Sequence, residues 1–167
     1  MIEKLNMQGL YFGLTEGSIT TIGIIIGMYA SLPIKLAIVG SVLTASVSDS
    51  FGDSIGMYYS EQARNSNSKK TNILNTILGL ILSKVGISVF YLLPIILINK
   101  LEYGILVSII LSFIILTKSF IYLSKKNKKN TKKFLIKNLF LICIVMACSF
   151  IIGNILNKLF NKNKILI

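Results

Sequence analysis

Hydrophobic positions in this chain come in long, nearly unbroken runs, and short polar stretches separate them. A helix needs about 20 apolar residues to cross the hydrocarbon core of a bilayer. Five runs reach that length, at about residues 9–30, 34–59, 73–98, 103–123 and 134–156. Leu32-Pro33 breaks the first from the second. A polar stretch over residues 60–72, holding Glu61, Arg64, Lys69 and Lys70, follows the second. Asn99-Lys100-Leu101-Glu102 is a short turn between the third and fourth, and a lysine-rich loop over residues 125–133 precedes the fifth. The pattern predicts an all-α integral membrane bundle of five transmembrane helices, one domain spanning residues 1–167.

Composition agrees with this reading. The chain is 53% hydrophobic and only 14% charged, with a mean hydropathy of +0.74, whereas soluble domains are about 25% charged. The 18 Lys+Arg against 6 Asp+Glu give a formal charge of +12. Such a balance can mark nucleic-acid binding, but here the positive charges sit in the breaks between apolar runs, where they set membrane orientation. The expected partner is therefore membrane lipid and not nucleic acid. Five spans put the termini on opposite sides. Loops on the N-terminal side carry ten basic residues (Lys4, Arg64, Lys69, Lys70, Lys125, Lys126, Lys128, Lys129, Lys132, Lys133) and those on the other side five (Lys35, Lys100, Lys158, Lys162, Lys164). This predicts a multi-pass protein of a prokaryotic cell membrane, N-terminus in the cytoplasm and C-terminus outside.

The first two runs differ in texture from the rest. They are rich in Gly, Ser and Thr, and they hold three small-residue spacings, Gly13/Gly17, Gly23/Gly27 and Gly52/Gly56. Small residues four apart let helix backbones approach closely in a membrane. The expectation is that these two helices form the packed centre and the other three face lipid.

The same two runs hold the acids. Glu16, Asp49 and Asp53 lie inside apolar runs, where a charge costs about 2.5–3.5 kcal/mol on insertion scales. Asp49 and Asp53 are four apart and share a helix face; a bound cation would relieve their repulsion. Ser46, Ser48, Ser50 and Ser54 add oxygen atoms nearby, Thr20 shares a face with Glu16, and Glu61 stands at the end of the second run. Met28 and Met57 are candidate thioether ligands. Oxygen donors suit Mg²⁺, Ca²⁺ and Mn²⁺, and a thioether shifts preference toward softer ions. A weak, exchangeable site suits transport, which needs release as well as capture, so no tightly bound cofactor is expected. Lys84, in the middle of the third run, has two readings: a structural partner for Asp49 or Asp53, or a displaceable gate on the path. The chain has no His; Cys143 and Cys148 are spaced to face different ways. With no phosphate-binding loop, Gly-x-Ser-x-Gly elbow or Cys-x-x-Cys, an enzyme is not expected. Two alternatives to divalent transport stay open: a non-transporting membrane scaffold or assembly subunit held by an Asp–Lys pair, and a monovalent-cation or proton pathway through the same acids.

The stretch Gly9-Leu10-Tyr11-Phe12-Gly13-Leu14-Thr15-Glu16-Gly17-Ser18-Ile19-Thr20-Thr21-Ile22-Gly23 resembles the first helix of vacuolar iron transporter-like proteins. Residues 46–61, Ser-Val-Ser-Asp-Ser-Phe-Gly-Asp-Ser-Ile-Gly-Met-Tyr-Tyr-Ser-Glu, resemble the end of that family's second helix. Leu92-Leu93-Pro94 and Gly153 also fit its pattern. The resemblance implies a five-helix fold, a homodimer with the first helix near the interface, and export of Fe²⁺ or a related ion such as Mn²⁺ from the cytosol in exchange for protons. Under it, Glu16 takes the place of the acidic residue in the first-helix pathway. Asp49 stands where the family often has a Met ligand, Asp53 on or near a small or acidic position, and Glu61 at the cytoplasmic mouth. The chain departs from the family in two ways. Plant-type members carry a Glu-rich metal-binding domain between helices two and three, where this chain has a short basic stretch. Asp in place of Met at position 49 makes the site harder and more charged.

Overall fold

The computed structural model describes residues 7–64, 70–126 and 130–162. They form five helices: α1 (Met7–Ser31), α2 (Lys35–Arg64), α3 (Lys70–Leu97), α4 (Leu101–Lys126) and α5 (Thr131–Lys162). No strand occurs among the described residues, so the all-α class holds.

The helices run beyond the apolar runs that announce them. Residues 60–64, Ser-Glu-Gln-Ala-Arg, carry neither Gly nor Pro, and α2 continues through them to Arg64. α4 already begins at Leu101, with Gly104 N–H donating to the Lys100 carbonyl at 3.2 Å. The basic loop is shorter than its composition suggests. Lys125 and Lys126 belong to the last turn of α4, where cations complement the helix dipole. Asn130 begins α5: its carbonyl accepts from Phe134 N–H at 3.0 Å, and its Oδ1 accepts from Lys133 N–H at 3.5 Å, as at a helix N-cap. Pro94 does not end α3, which continues to Leu97.

Among the described residues, four helical segments are long and apolar enough to cross a membrane: Met7–Ser31, Ile73–Leu97, Leu101–Lys126 and Thr131–Phe160. This is consistent with a multi-pass membrane protein. Of the five spans that the sequence predicts, α2 is the one not among these four. At 30 residues it is about 45 Å long, which is ample. Its composition falls short, because Ser46, Ser48, Asp49, Ser50, Asp53 and Ser54 interrupt its apolar character. The exterior is otherwise greasy. Ile136, Phe140, Ile152 and Phe160 of α5 are all at least half exposed, a surface that a soluble monomer would not carry.

α1 stands at the centre. Its closest neighbours are α3 on one side and α5 on another, while α2 leans chiefly on α3. Glycine explains the intimacy. A β-carbon on Gly9 or Gly13 would collide with the backbone carbonyls of Thr76 or Leu80 in α3. Gly23 and Gly27 lie against Ser149 of α5, and Gly153 returns the contact against the Gly27 carbonyl. The small-residue spacings of α1 therefore do what the sequence predicts, but with α3 and α5 as partners and not α2. Gly52 and Gly56 of α2 are different: among the described residues, nothing beyond the neighbouring backbone of α2 lies within 4 Å of a β-carbon built on either. The apolar core joins Ile22 and Ile25 of α1, Ile38 and Val42 of α2, Tyr91, Leu92 and Ile95 of α3, and Ile105 of α4.

Several hydroxyl groups inside the bundle pair across helices. Ser18 Oγ and Tyr91 Oη lie 3.0 Å apart, and Thr21 Oγ1 lies 2.7 Å from Ser88 Oγ. Ser108 Oγ donates to the Tyr91 carbonyl at 2.7 Å, tying α4 to α3. At the far end of α3, Lys35 Nζ donates to the carbonyls of Ile96 and Ile98, both at 3.0 Å, satisfying acceptors that a helix terminus leaves open.

Candidate functional site

Three helices converge on one side chain. Lys84 lies near the midpoint of α3, Asp49 and Asp53 sit on one face of α2, and Glu16 lies on α1. Because Gly17 has no side chain, the Lys84 stem can run across α1: a β-carbon at position 17 would stand 2.9 Å from Lys84 Cγ. The ammonium ends among the carboxylates. Lys84 Nζ donates to Asp53 Oδ2 at 2.6 Å, contacts Glu16 Oε2, and lies 3.9 Å from Asp49 Oδ2. The Glu16 contact is one of charge more than of direction, for Oε2 is buried and finds no donor in hydrogen-bond geometry.

Burial is unequal across the cluster. The Lys84 side chain is 1% exposed, those of Glu16 and Asp53 are 29% exposed, and that of Asp49 is 44% exposed. The base is therefore on the inside and the acids on the outside. Glu16 also borders an open cleft of about 430 Å³, lined by Tyr11, Phe12, Thr15, Ile19 and Thr20 of α1 and Leu123 of α4. Formal charges sum to three negative and one positive, a net of −2 with every group ionised.

The sequence-predicted residues fare differently. Glu16, Asp49, Asp53 and Lys84 are brought together. Thr20 is on the cleft, but its hydroxyl donates to the carbonyls of Glu16 and Gly17 at 3.0 and 3.3 Å, so it is turned to its own helix. The serines of α2 do not supply free oxygens. Ser46, Ser48 and Ser54 donate to the carbonyls of Leu43, Ala45 and Ser50, the usual back-bonding of helical serine. Ser46, Ser50 and Ser54 are buried and act as small packing residues. Met57 is half-buried one turn beyond Asp53, and Met28 packs against the apolar core. Glu61 falls near the end of α2, and its side chain lies outside the described residues. Among the described residues no three acidic or thiol side chains are gathered as metal ligands: the three acids gather around an ammonium instead.

Sequence reasoning missed the support beneath the cluster. Ser88 Oγ donates to the Lys84 carbonyl at 2.9 Å and meets Thr21. Tyr91, fully buried, meets Ser18. Lys84, Ser88 and Tyr91 are spaced i, i+4, i+7 on α3, a polar stripe on an otherwise apolar helix, and that spacing was the available signal.

Neither family models, nor curated proteins, nor solved structures match the chain.

Proposed function

We propose that the protein carries divalent cations, Fe²⁺ or Mn²⁺, across a membrane through the Glu16/Asp49/Asp53/Lys84 cluster, exporting them from the cytosol in exchange for protons. The observation that carries the proposal is the excess of acid over base at mid-depth in a greasy bundle. A structural ion pair needs one carboxylate per ammonium. Here one Lys faces three acids, and uncompensated charge at membrane depth is costly unless a mobile cation or protons balance it. A net of −2 matches one divalent cation or two protons. The partial exposure of the acids gives an ion an approach, and an open cleft borders Glu16.

The proposal extends to topology and assembly. α2 serves as a fifth span, with the N-terminus in the cytoplasm and the C-terminus outside. The molecule is a homodimer, and what supports it is the outward face of α2 and not α1, which is covered by α3 and α5. Gly40, Thr44, Ser48, Gly52 and Gly56 are exposed at every fourth position, a smooth surface suited to another helix and ill suited to lipid.

The test is flux in proteoliposomes holding the purified protein and an Fe²⁺- or Mn²⁺-quenched dye. Wild type moves the ion, and Glu16→Gln abolishes movement while eluting as wild type on gel filtration. Unchanged flux in Glu16→Gln removes Glu16 from the path. A second reading is favoured by the complete burial of Lys84: a scaffold without transport, in which the cluster is an architectural tie among α1, α2 and α3. It expects no flux of any ion, monovalent or divalent, from wild type.

A further inference from the structure

We propose that the junction of α4 and α5 is a docking site for an anionic phospholipid: lysines hold its phosphate, and its acyl chains lie on the exposed apolar face of α5. The inference goes beyond the cation-carrying reading and does not depend on it.

The junction gathers cations. Ser124 Oγ donates to Thr131 Oγ1 at 3.0 Å, closing the last turn of α4 on the first turn of α5. Beneath it Phe120 and Phe134 meet edge to face, with ring centroids 6.0 Å apart. These contacts draw together the helix ends that carry Lys125 and Lys126 on one side and Lys132 and Lys133 on the other, all four of them exposed. Lys137, also exposed, follows Lys133 one turn along the same face of α5. Asn130, Lys132, Lys133, Ile136 and Lys137 line an open cavity of about 520 Å³. Nothing in this part of the chain neutralises the lysines. No Asp or Glu occurs over residues 103–167, and among the described residues every ion pair falls on Lys84. Lys125 and Lys126 at least suit the C-terminal end of α4. Lys132 and Lys133 stand in the first turn of α5, which holds no acid and where the helix dipole disfavours a cation. The crowding of like charges is relieved by an anion from outside the chain.

What adjoins the lysines decides which anion. The exposed surface of α5 turns apolar at once: Ile136 is 70% exposed and Phe140 65%. Ile136, Phe140 and Ile144 recur at every fourth residue and are all exposed, so they form one stripe leading away from the cavity. A nucleic acid or an acidic peptide makes no use of such a stripe. A phospholipid uses both parts, with its phosphate among the ammonium groups and its chains along the stripe. Lys137 lies inside the apolar run, and its long stem lets the ammonium reach headgroup level. Basic clusters of this size at the end of a membrane helix attract anionic headgroups.

The experiment places the full chain in phosphatidylcholine vesicles. Electron paramagnetic resonance reads the motionally restricted fraction of spin-labelled phosphatidylglycerol against that of spin-labelled phosphatidylcholine, and circular dichroism verifies folding. Wild type prefers the anionic lipid at least about twofold, averaged over the lipids around the protein. Lys132→Gln/Lys133→Gln/Lys137→Gln removes most of that preference. Arg64→Gln/Lys69→Gln/Lys70→Gln, the same loss of charge at the connection of α2 and α3, keeps it. An equal fall in the two variants means that basic charge acts without a site, and overturns the proposal. Wild type with no preference overturns it too, and leaves the lysines to a soluble acidic partner. Inorganic phosphate, compared with chloride at equal ionic strength, leaves the preference in place. Its loss in phosphate marks a site for the free anion and overturns the lipid assignment.

Discussion

Gly17 and Lys84 are fitted to each other: the glycine's bare α-carbon is where the lysine's methylenes cross from α3 to the acids, and a β-carbon there would come within 2.9 Å of Lys84 Cγ and 3.1 Å of Lys84 Cα. The second distance matters more than the first. The stem can swing aside, but the α-carbon moves only with the backbone of α3. Gly17→Ala should therefore push α1 from α3 and withdraw Nζ from Glu16, which sits on the preceding residue. Overpacking of this kind costs about 1–3 kcal/mol. Thermal unfolding in detergent should show a lowered midpoint. Flux should fall with it, even though no charge has changed.

The lysine and Asp53 should be energetically coupled. Removing one partner of a buried pair costs about 3–5 kcal/mol, because the other is left charged and alone. Lys84→Leu should thus be strongly destabilising. Adding Asp53→Asn should recover part of the loss, since one repelling carboxylate goes with it. A double-mutant cycle should return a coupling of about 0.5–3 kcal/mol. The same cycle with Asp49→Asn should return less, because Asp49 Oδ2 is 3.9 Å from Nζ against 2.6 Å for Asp53 and is the more exposed. Equal coupling for the two aspartates would contradict this geometry.

Tyr91 offers a test that leaves the charges untouched. Its hydroxyl meets Ser18 Oγ at 3.0 Å, and Ser18 also donates to the Leu14 carbonyl at 2.7 Å. Tyr91→Phe removes a bond whose partner has somewhere else to turn, so the loss should be near 1 kcal/mol. Tyr91→Ala empties a fully buried site and should cost about 3–5 kcal/mol. A small effect of Tyr91→Ala on the unfolding midpoint would mean that the centre of the bundle repacks freely.

Much of this was legible in the chain, for identifiable reasons. Long apolar runs fixed the number of helices, since only helices spend such runs well. The acids stood out as rare charges among them. Lys84 was visible as the one base deep in a run, and its pairing with Asp49 or Asp53 could be anticipated. Glu16 as its third partner could not. That depends on how α1 is rotated against α3, which Gly9, Gly13 and Gly17 decide by closing on Thr76, Leu80 and Lys84. A small-residue spacing shows that something comes close without naming what does. For the same reason α1 and α2 were expected to embrace, whereas α1 embraces α3 and α5. The α2 serines misled differently. They were counted as oxygens, but a helical serine can reach the carbonyl three or four residues back, and these do.

The open face of α2 yields the sharpest remaining prediction. Among the described residues Gly13 is enclosed by this chain, whereas a β-carbon on Gly52 or Gly56 meets nothing within 4 Å beyond the neighbouring backbone of α2. In an isolated monomer Gly13→Leu should be ruinous and Gly52→Leu nearly silent, or slightly stabilising, since Leu favours the helix over Gly by close to 1 kcal/mol. If a second copy covers α2, the ordering changes. Close helix approach in a membrane depends on small residues, so Gly52→Leu and Gly56→Leu should then dissociate the dimer without unfolding the protomer. Light scattering of the detergent complex, read beside the unfolding midpoint, separates the cases. A halved protein mass with an unshifted midpoint places the interface on α2. An unchanged mass for both variants means that no second copy packs closely there, and the partial exposure of Asp49 then belongs to the working molecule.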